Sequence, residues 1–487
     1  MTDLVIRSRR VVLPDGVRDA AVLVGEGRIR AVVPWAEAPD AAGVVDCGDA
    51  CLMPGLVDTH VHMNEPGRTD WEGFASATHA AAAGGVTTLV DMPLNSTPAT
   101  TTVAALAAKR AAAASTCRVD VGFWGGVVPG NVPELEGLAA AGVLGFKCFL
   151  VPSGVDDFPE VDERDLREAM SVLARLGRPL LVHAELPGPI AAAEDAIRGG
   201  DPRRYANWLA SRPPAAEIEA IRMVLGLCAE TECPVHIVHL SAAEALPDIR
   251  SARARGLPVT VETCPHYLCF AAEEIADGAT PFKCAPPIRG RANRERLWEA
   301  LRDGAIDLVA SDHSPCPPAL KRCETGDFMA AWGGIASLEV ALSAVWSGAR
   351  KRDFTPSDLA RWMGERPARL AGLAGRKGVI APGADADLVV WEPEAEWTVV
   401  GARLHHRHPL TPYEGWNLRG VVRSTFVRGV CVFERGADGK DDECVMSTPT
   451  GRLLERSAGG TVGGSGLVDR HGHMPDGGPV DRIGGSR

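Results

Sequence analysis

Two histidines, His60 and His62, stand one residue apart at the end of the apolar run in GLVDTHVHMNEPGR, residues 55–68. Alternate residues of a β-strand point to the same side of the strand. The two imidazoles can therefore face one point, which is a geometry that suits a metal ion. The same spacing is also found where histidines merely occupy the polar face of an exposed strand, so the pair alone leaves both interpretations open.

Other polar residues follow other apolar runs of the chain. Lys147 lies inside GFKCF, His183 ends PLLVH, His239 lies in PVHIVHLS, and Asp312 lies near the end of AIDLVASDH. If these runs are parallel strands of one barrel, their carboxyl ends form a single rim, where chemistry is located in such folds. A lone histidine on a buried strand is usually a satisfied core residue, but six metal-compatible residues on one rim are hard to explain in that way.

Lys147 is the unusual member because burying an ammonium group in an apolar run is costly. One interpretation is an ion pair with a carboxylate of the rim. The other is that burial favours the neutral amine, which can take up CO2 to form a carbamate. A carbamate has two oxygens and can bridge two divalent ions, which lie about 3.5–4 Å apart in two-metal hydrolytic sites. In that interpretation four histidines, Asp312 and the carbamate on Lys147 hold a pair of ions.

These residues need a scaffold that brings them together, and the pattern from residue 52 onward predicts one. Short apolar runs alternate with Ala-rich helical stretches, as in βα units around a parallel sheet. The runs are LMPGLVDTHVH, VTTLVDMP, RVDVGFWGG, VLGFKCFL, PLLVHAE, PVHIVHLS, PVTVETCPH and AIDLVASDH. The helical stretches include WEGFASATHAAAAGG, TTVAALAAKRAAAAS, DERDLREAMSVLARLG, EIEAIRMVLGLCAET and ANRERLWEALRDG. Eight such units predict a (β/α)8 TIM barrel in an α/β fold.

Strand-like segments also precede and follow the barrel pattern. They are DLVIRSRRVVL, DAAVLVGEGRIRAVV and GVVDCG before it, and DADLVVWEP, WTVVGARL and LRGVVRSTFVRGVCVFERG after it. We expect residues 1–53 and 378–455 to form a composite β-sandwich domain beside a barrel of residues 54–377. Residues 456–487 are rich in glycine and predict a disordered tail, whose His471 and His473 are not expected to bind a metal.

The composition excludes several classes of protein and partner. The 487 residues carry a net charge of −12, with 46% hydrophobic and 23% charged residues, which is typical of globular proteins. An acidic chain without a basic patch is not expected to bind nucleic acid or anionic membranes. We also expect no membrane span and no secretory signal. Thirteen cysteines without CxxC pairs are expected to be reduced thiols of a cytoplasmic protein.

The six residues together resemble the ligand set of the amidohydrolase superfamily, in particular its cyclic amidohydrolase branch of dihydroorotases, hydantoinases (dihydropyrimidinases) and allantoinases. The resemblance covers roughly residues 1–455. The ligands that it implies are His60 and His62 on one ion, His183 and His239 on the other, carboxylated Lys147 between them, and Asp312 as a ligand and proton shuttle. It also implies two divalent ions per subunit, with zinc first and manganese, cobalt or iron also compatible, and a homotetramer.

Within this branch the loops are most similar to those of allantoinases. They are NEPGR, MPLN, GFKCF, CPHYL, KCAPPIR, SDHSPCPP, WGGI and HPLTPYEGW. Dihydroorotases have an arginine two residues after the second histidine, which holds the carboxylate of their substrate, whereas this chain has Asn64. Hydantoinases have a tyrosine on the loop after the bridging lysine, whereas that loop here reads CFLVPSGVDDF. Both differences favour an allantoinase, which opens the hydantoin ring of allantoin, a small molecule without a carboxylate, to give allantoate.

The resemblance also implies a mechanism, in which an activated hydroxide attacks the ring amide and Asp312 carries its proton to the leaving nitrogen. The candidate contacts for the substrate are Asn95, Cys284, Ser314, Trp332 and Gly333. For Asn95 and Cys284, loop structure is an equally good explanation. Two alternatives are a hydantoinase or dihydropyrimidinase with the same fold and metal site, and a non-catalytic scaffolding relative, which would be expected to have lost metal ligands.

Overall fold

The computed structural model describes residues 2–39, 41–436 and 449–456 of the chain. Of the tail predicted from residue 456, everything after Arg456, including His471 and His473, lies outside the described residues. None of the helices in the described ranges is long and apolar enough to cross a bilayer.

The strands fall into an amino-terminal group, a barrel group and a carboxyl-terminal group. In chain order they are β1 Leu4–Leu13, β2 Gly16–Gly25, β3 Arg28–Val33, β4 Gly43–Asp46, β5 Cys51–Pro54, β6 Leu56–Val61, β7 Val86–Asp91, β8 Asp120–Phe123, β9 Gly125–Gly126, β10 Phe146–Phe149, β11 Leu180–His183, β12 Val235–Ile237, β13 Val259–Thr263, β14 Leu308–Val309, β15 Leu388–Thr398, β16 Asn417–Val427 and β17 Val430–Glu434.

Strands β6 to β14 form the predicted barrel. β6, β7 and β8 pair in that order, and β9 to β14 pair in theirs, all in parallel. β8 and β9 are consecutive pieces of the third barrel strand, and a parallel bridge from Val61 to His313 joins the first strand to the last. Each of the eight predicted runs contributes one barrel strand, which confirms the predicted α/β barrel fold.

Helices connect the barrel strands and cover them. They are α1 Phe74–Ala83, α2 Val103–Ala113, α3 Leu135–Ala140, α4 Glu163–Leu176, α5 Pro187–Ala196, α6 Tyr205–Ser211, α7 Pro214–Thr231, α8 Leu246–Ala254, α9 Pro265–Cys269, α10 Arg291–Arg302, α11 Ala341–Ala349, α12 Pro356–Ala360 and α13 Arg366–Leu370. The five predicted helical stretches correspond to α1, α2, α4, α7 and α10. α7 begins three residues earlier than predicted because a proline is well suited to the first turn of a helix.

The helix α4 shows how the sequence fixes such an element. Its first turn is closed by a capping box, in which Asp162 and Asp165 each accept the backbone N–H of the other, and it ends at Gly177 with a φ of 60°. Both devices satisfy backbone groups that a helix end leaves without partners. The buried face carries Leu166, Met170 and Leu173, which belong to the main hydrophobic core around the barrel.

The strands from the two ends of the chain form one eight-stranded sheet. Its order is β17-β16-β15-β5-β1-β2-β3, with β4 paired to β1. The strand predicted from WTVVGARL is wrong beyond Thr398, because the chain turns into a short 3-10 helix at Gly401–Arg403. There the backbone N–H of Gly401 donates to a carboxylate oxygen of Glu414 at 2.6 Å instead of to a neighbouring strand. The domain boundaries at residues 53 and 378 stay predictions.

A buried ion-pair network joins this sheet to the barrel. Lys377 Nζ lies 2.6 Å from Asp120 at the start of β8, 3.0 Å from Asp385 and 2.6 Å from Asp387, just before β15. Burial alone would lower the pKa of Lys377, but the three carboxylates, Asp387 first, raise it above its usual value. The ammonium group therefore stays charged and compensates carboxylates that are themselves buried.

Candidate metal centre

The six predicted metal ligands come together at the carboxyl ends of the barrel strands. His60 lies on β6 and His62 just after it, Lys147 lies on β10, His183 ends β11, His239 follows β12, and Asp312 follows β14. All six side chains are buried. Their assignment as ligands remains a proposal, but the barrel brings residues up to 252 positions apart to one place.

Two of these residues have a backbone conformation that is unusual for their type. His239 has a φ of 38° and Asp312 a φ of 45°, in the left-handed region that costs energy for any residue with a Cβ atom. Such conformations persist where the surrounding structure holds them, and they concentrate at functional sites. At this rim they turn both side chains towards the neighbouring histidines.

The side chains form two adjoining groups. In the first, an Asp312 carboxylate oxygen lies 3.2 Å from His60 Nε2 and 3.7 Å from His62 Nε2. In the second, His183 Nδ1 lies 2.9 Å from His239 Nε2. The rings of His60 and His239 are 5.4 Å apart, centre to centre, and connect the groups. The nitrogen and oxygen atoms of both groups therefore converge on one small region.

A buried glutamate that the sequence analysis missed orients the first group. Glu262 on β13 lies 2.5 Å from His60 Nδ1 and 3.0 Å from His236 Nε2, and it accepts the backbone N–H of His239 at 3.2 Å. Although burial raises the pKa of Glu262, His60 and His236 lower it to about 2. The carboxylate is therefore ionised and holds His60 so that Nε2 faces Asp312. The signal in the sequence was a charged residue in the apolar run PVTVETCPH.

Two further contacts hold the rings of His183 and His62 at the nitrogen that faces away from the neighbouring proposed ligands. Glu185 Oε2 lies 2.7 Å from His183 Nε2, and Asn95 Nδ2 lies 3.3 Å from His62 Nδ1. The Glu185 contact is the usual one, in which a carboxylate holds the second nitrogen of a metal-binding histidine, whereas the Asn95 amide N–H donates to His62 Nδ1. Glu185 was also missed by the sequence analysis, although it follows His183 by two residues in the run PLLVHAE.

Lys147 tests whether this set fits a pair of metal ions. Its Nζ is buried and has no hydrogen-bond partner, so the rim ion pair considered from the sequence is not formed. Burial lowers the pKa of Lys147 to about 8, which favours the amine that carbamate formation requires. His239 Nδ1 also lacks a partner, and burial holds the pKa of His239 well below its usual value. The neutral imidazole of His239 and a lysine without a hydrogen-bond partner fit a centre with two divalent ions and a bridging carbamate. Burial lowers the pKa of His60, but Asp312 and Glu262 outweigh burial and raise it above its usual value.

The groups open into a cavity of about 260 Å3. All five predicted substrate contacts line it: Asn95, Cys284, Ser314, Trp332 and Gly333. Ser314 Oγ donates to Asp312 Oδ1 at 2.8 Å. The rings of Trp332 and Trp71 are nearly perpendicular, with their centres 5.0 Å apart. Because Asn95 contacts His62, one of its groups already serves the centre, and its role towards a substrate stays a prediction.

Two cations in the cavity wall were not anticipated from the sequence. Arg212 is anchored by Glu185 at 2.8 Å. Lys283 Nζ lies over the Trp208 ring at 4.3 Å and donates to the Ala331 carbonyl oxygen at 2.5 Å. Burial and neighbouring cations lower the pKa of Lys283 to about 7.

Asn64, by contrast, is buried outside the cavity lining. Whether the cavity accepts a substrate with a carboxylate therefore depends on the cations Arg212 and Lys283 as well as on the residue at position 64.

Comparison with known proteins relates the chain to one enzyme family over most of its length. Residues 51–432 match the model of the amidohydrolase family. The chain is 53% identical to the allantoinase of Streptomyces avermitilis over 93% of this chain and 99% of that protein, and 49% identical to the allantoinase of Arabidopsis thaliana over 90% of this chain and 89% of that protein. Among solved structures it resembles the L-hydantoinase (dihydropyrimidinase) of Arthrobacter aurescens, with a TM-score of 0.88, 31% identity, and coverage of 94% of this chain and all of that one.

Proposed function

This chain belongs to the amidohydrolase family and, within it, to the allantoinases, and we propose how its residues hydrolyse allantoin. The reaction opens the hydantoin ring by adding water across a ring amide, and the product is allantoate. The observation that carries the proposal is the buried Nζ of Lys147, which has no hydrogen-bond partner and lies on the same rim as the four histidines. Nothing in a purely structural rim requires a lysine in that place.

The proposed metal ligands fall into two groups, which follow the distances between their side chains. His60 and His62 would hold one divalent ion, His183 and His239 would hold the other, Lys147 would contribute to both as its CO2-derived carbamate, and Asp312 would complete the set. Bound divalent ions supply Lewis acidity towards the amide carbonyl and lower the pKa of a water molecule. Zinc is the first candidate, and manganese, cobalt and iron suit the same nitrogen and oxygen ligands.

Asp312 is the proposed proton carrier. Burial raises the pKa of this carboxyl, but His60 and the other neighbouring imidazoles outweigh burial and hold it well below its usual range, so the group is ionised at neutral pH. In the reaction it accepts a proton from the attacking water and delivers it to the ring nitrogen as the carbon–nitrogen bond breaks. Ser314, which donates to Asp312 Oδ1, orients the carboxylate towards the cavity.

The cavity wall is proposed to orient the ring. Cys284, Ser314 and Gly333 line the same space, and their polar groups are proposed to bond to the amide and ureido groups of allantoin. The backbone N–H of Ser314 is excluded from this role because it donates to the Ile335 carbonyl oxygen at 2.9 Å. Trp332 and Trp71 pack together at the side of the cavity and limit the access of bulk water. The neutral groups suit the uncharged amide and ureido groups of allantoin, and the cations Arg212 and Lys283 lie in the same wall.

The two alternatives are weaker. A hydantoinase would share the fold, but the structural relative named a hydantoinase is 31% identical, whereas the allantoinase of Streptomyces avermitilis is 53% identical. A non-catalytic relative has no reason to keep all six ligand-type residues and the glutamates that orient them.

The test is turnover of allantoin, hydantoin, dihydrouracil and dihydroorotate by one metal-loaded preparation. Allantoin should have the highest kcat/KM of the four. A higher value for dihydrouracil or hydantoin would replace the proposed substrate with that of a hydantoinase. Lack of turnover of all four by a preparation that retains both ions would support the non-catalytic alternative.

We also propose that the protein is a cytoplasmic homotetramer. The twelve cysteines in the described ranges are free thiols, which suits a reducing compartment. Light scattering on the purified protein tests the tetramer, and a mass of about one subunit would contradict it.

A further inference from the structure

A second group of metal-compatible side chains lies beside the centre and shares Asp312 with it. Cys264 follows β13 and His266 lies in α9. One ligand atom from each of Cys264, His266 and Asp312 lies within 4.8 Å of the other two, and all three side chains are buried. This group differs from the proposed catalytic ligands because it contains a thiol.

His266 is the residue that points to a ligand. It is completely buried, and neither of its ring nitrogens has a hydrogen-bond partner. Two other buried histidines outside the ligand set use both nitrogens: His236 contacts Thr260 and Glu262, and His313 is bonded on both sides. Buried polar atoms without partners are rare in proteins, so two on one imidazole call for a physical explanation.

The chemistry of the group selects the kind of ligand. Thiolate, imidazole and carboxylate together suit zinc and other thiophilic ions, and are poorly matched to magnesium or calcium. Neither ring nitrogen of His266 has a hydrogen-bond partner, so the imidazole can offer a nitrogen lone pair to an ion. Burial raises the pKa of the Cys264 thiol, so an entering ion has to displace the thiol proton to solvent.

We propose that Cys264, His266 and Asp312 form a third, inhibitory site for a thiophilic divalent ion such as Zn2+ or Cd2+. The inhibition rests on the proposed function, because the ion occupies the carboxylate that carries the proton. Asp312 bound to the third ion cannot deliver that proton to the leaving ring nitrogen. Excess zinc therefore inhibits the enzyme, although lower concentrations fill its catalytic sites.

The route to the site predicts how inhibition develops. Asp312 lines the substrate cavity, whereas Cys264 and His266 are buried outside its lining. An ion therefore reaches the thiol through the cavity and past Asp312. Inhibition should develop slowly after mixing, and a bound substrate should delay it.

The test adds cadmium to the metal-loaded, full-length enzyme and follows turnover together with the ultraviolet charge-transfer absorption of a thiolate–cadmium bond. We expect one further equivalent of cadmium per subunit to bind and to produce this absorption. Turnover should fall at least tenfold as the absorption increases. The proposed catalytic ligands contain no sulfur, so exchange of cadmium into those sites cannot produce the band. Absence of the band from the wild-type enzyme would overturn the proposal.

Two cysteine variants locate the thiol. Cys264→Ser should lose the band, and cadmium should no longer reduce its turnover relative to its own uninhibited rate. Cys233→Ser is the matched control, since Cys233 is also buried but donates to the Pro234 carbonyl oxygen at 3.6 Å and belongs to no metal-compatible group in the described residues. It should keep both the band and the inhibition. A band that persists in Cys264→Ser would assign the binding to another thiol and refute the site.

A measurement on the wild type covers the case in which Cys264→Ser does not fold. The 113Cd NMR spectrum should contain one signal in the range of sulfur-bonded cadmium, and only nitrogen- and oxygen-bonded signals would contradict the proposal. Neither spectroscopic measurement depends on turnover. A third equivalent with the band in an enzyme inactive on allantoin would therefore count against the proposed function and leave the metal site intact.

Discussion

One oxygen of Glu185 holds two different side chains: Oε2 lies 2.7 Å from His183 Nε2 and 2.8 Å from Arg212 Nη1. Burial raises the pKa of this carboxyl, but Arg212 and His183 outweigh burial and lower it to about 2. The charged oxygen occupies His183 Nε2, so His183 Nδ1 is the nitrogen that faces His239 at 2.9 Å. Glu185 thereby connects a cation of the cavity wall to the centre.

The first prediction concerns Glu185→Gln, which keeps the shape of the side chain and removes its charge. We expect the affinity for the ion assigned to His183 and His239 to fall about 10–100-fold, the range found when the partner of a metal-binding histidine is lost. Metal content after dialysis against graded metal buffers measures the effect.

The control for this substitution is Glu194→Gln on α5, where the side chain is exposed. It should bind metal like the wild type. If Glu185→Gln also kept both ions at the wild-type affinity, Glu185 would have no part in orienting His183.

The fold, and the meeting of the six proposed ligands on one rim, could be predicted from the sequence because both depend on local patterns. Apolar runs ending in His60, His183 or Asp312 predict buried strands, and the parallel order of a barrel then places their carboxyl ends on one rim. The location of the site can thus be predicted from short motifs and the strand order of the barrel, before any individual contact is known.

The residues that orient the ligands were not accessible in this way. Glu262 contacts His60 across 202 positions of sequence, and Arg212 contacts Glu185 across 27. No local pattern records such pairs, because they depend on how neighbouring strands and loops are placed. The strand predicted for WTVVGARL was wrong for a similar reason. The residues of this segment favour a strand, but the hydrogen bond from the Gly401 N–H to Glu414 turns the chain away from the sheet.

The second prediction concerns Lys147→Ala, which removes the amine on which the bridging carbamate is proposed to form. We expect most of the bound metal and of the turnover to be lost. Short carboxylates such as acetate or propionate should restore part of both, because they can fill the space and supply two oxygens. Lys351→Ala, at an exposed lysine, should change neither. Two ions and full turnover in Lys147→Ala without any added carboxylate would show that the bridge does not exist.

The third prediction concerns the joint between the barrel and the sheet. Lys377→Met leaves the buried carboxylates of Asp120, Asp385 and Asp387 without their shared cation. Removing one partner of a buried ion pair costs about 3–5 kcal/mol, so the free energy of unfolding in urea should fall by an amount of that order. Lys351→Met should leave it within about 0.5 kcal/mol of the wild type. Equal stability of the two variants would mean that water replaces the lost ammonium group at no cost.

The fourth prediction uses the pH dependence of Lys283. Its pKa is about 7 in the folded protein and 10.5 when unperturbed. Between these values the unfolded chain binds more protons at this lysine than the folded chain does, so folding becomes more favourable as the pH rises. This contribution of Lys283 to the free energy of unfolding is complete above about pH 10.5 and is lost as the pH falls from there through 7.

Lys283→Met removes this contribution and should leave the other titrations in place. The Tm of the wild type minus the Tm of the variant should therefore increase from pH 7 to pH 9. The bonds from Lys283 to the carbonyl oxygens of Met329 and Ala331 add a nearly constant offset, because a neutral amine also donates. Parallel curves of Tm against pH would mean that Lys283 titrates near its usual value in the folded protein.

The last prediction concerns Asp312→Asn, because Asp312 is asked both to bind metal and to carry a proton. Asparagine keeps one oxygen ligand but cannot take up the proton, so both ions should be largely retained while turnover of allantoin falls by roughly 10²–10⁴-fold. The acid limb of the pH profile should change as well. Asp157→Asn, on the exposed part of the loop after β10, should behave like the wild type. Near-normal turnover by Asp312→Asn would assign the proton to another group, whereas loss of both ions would make Asp312 a ligand first.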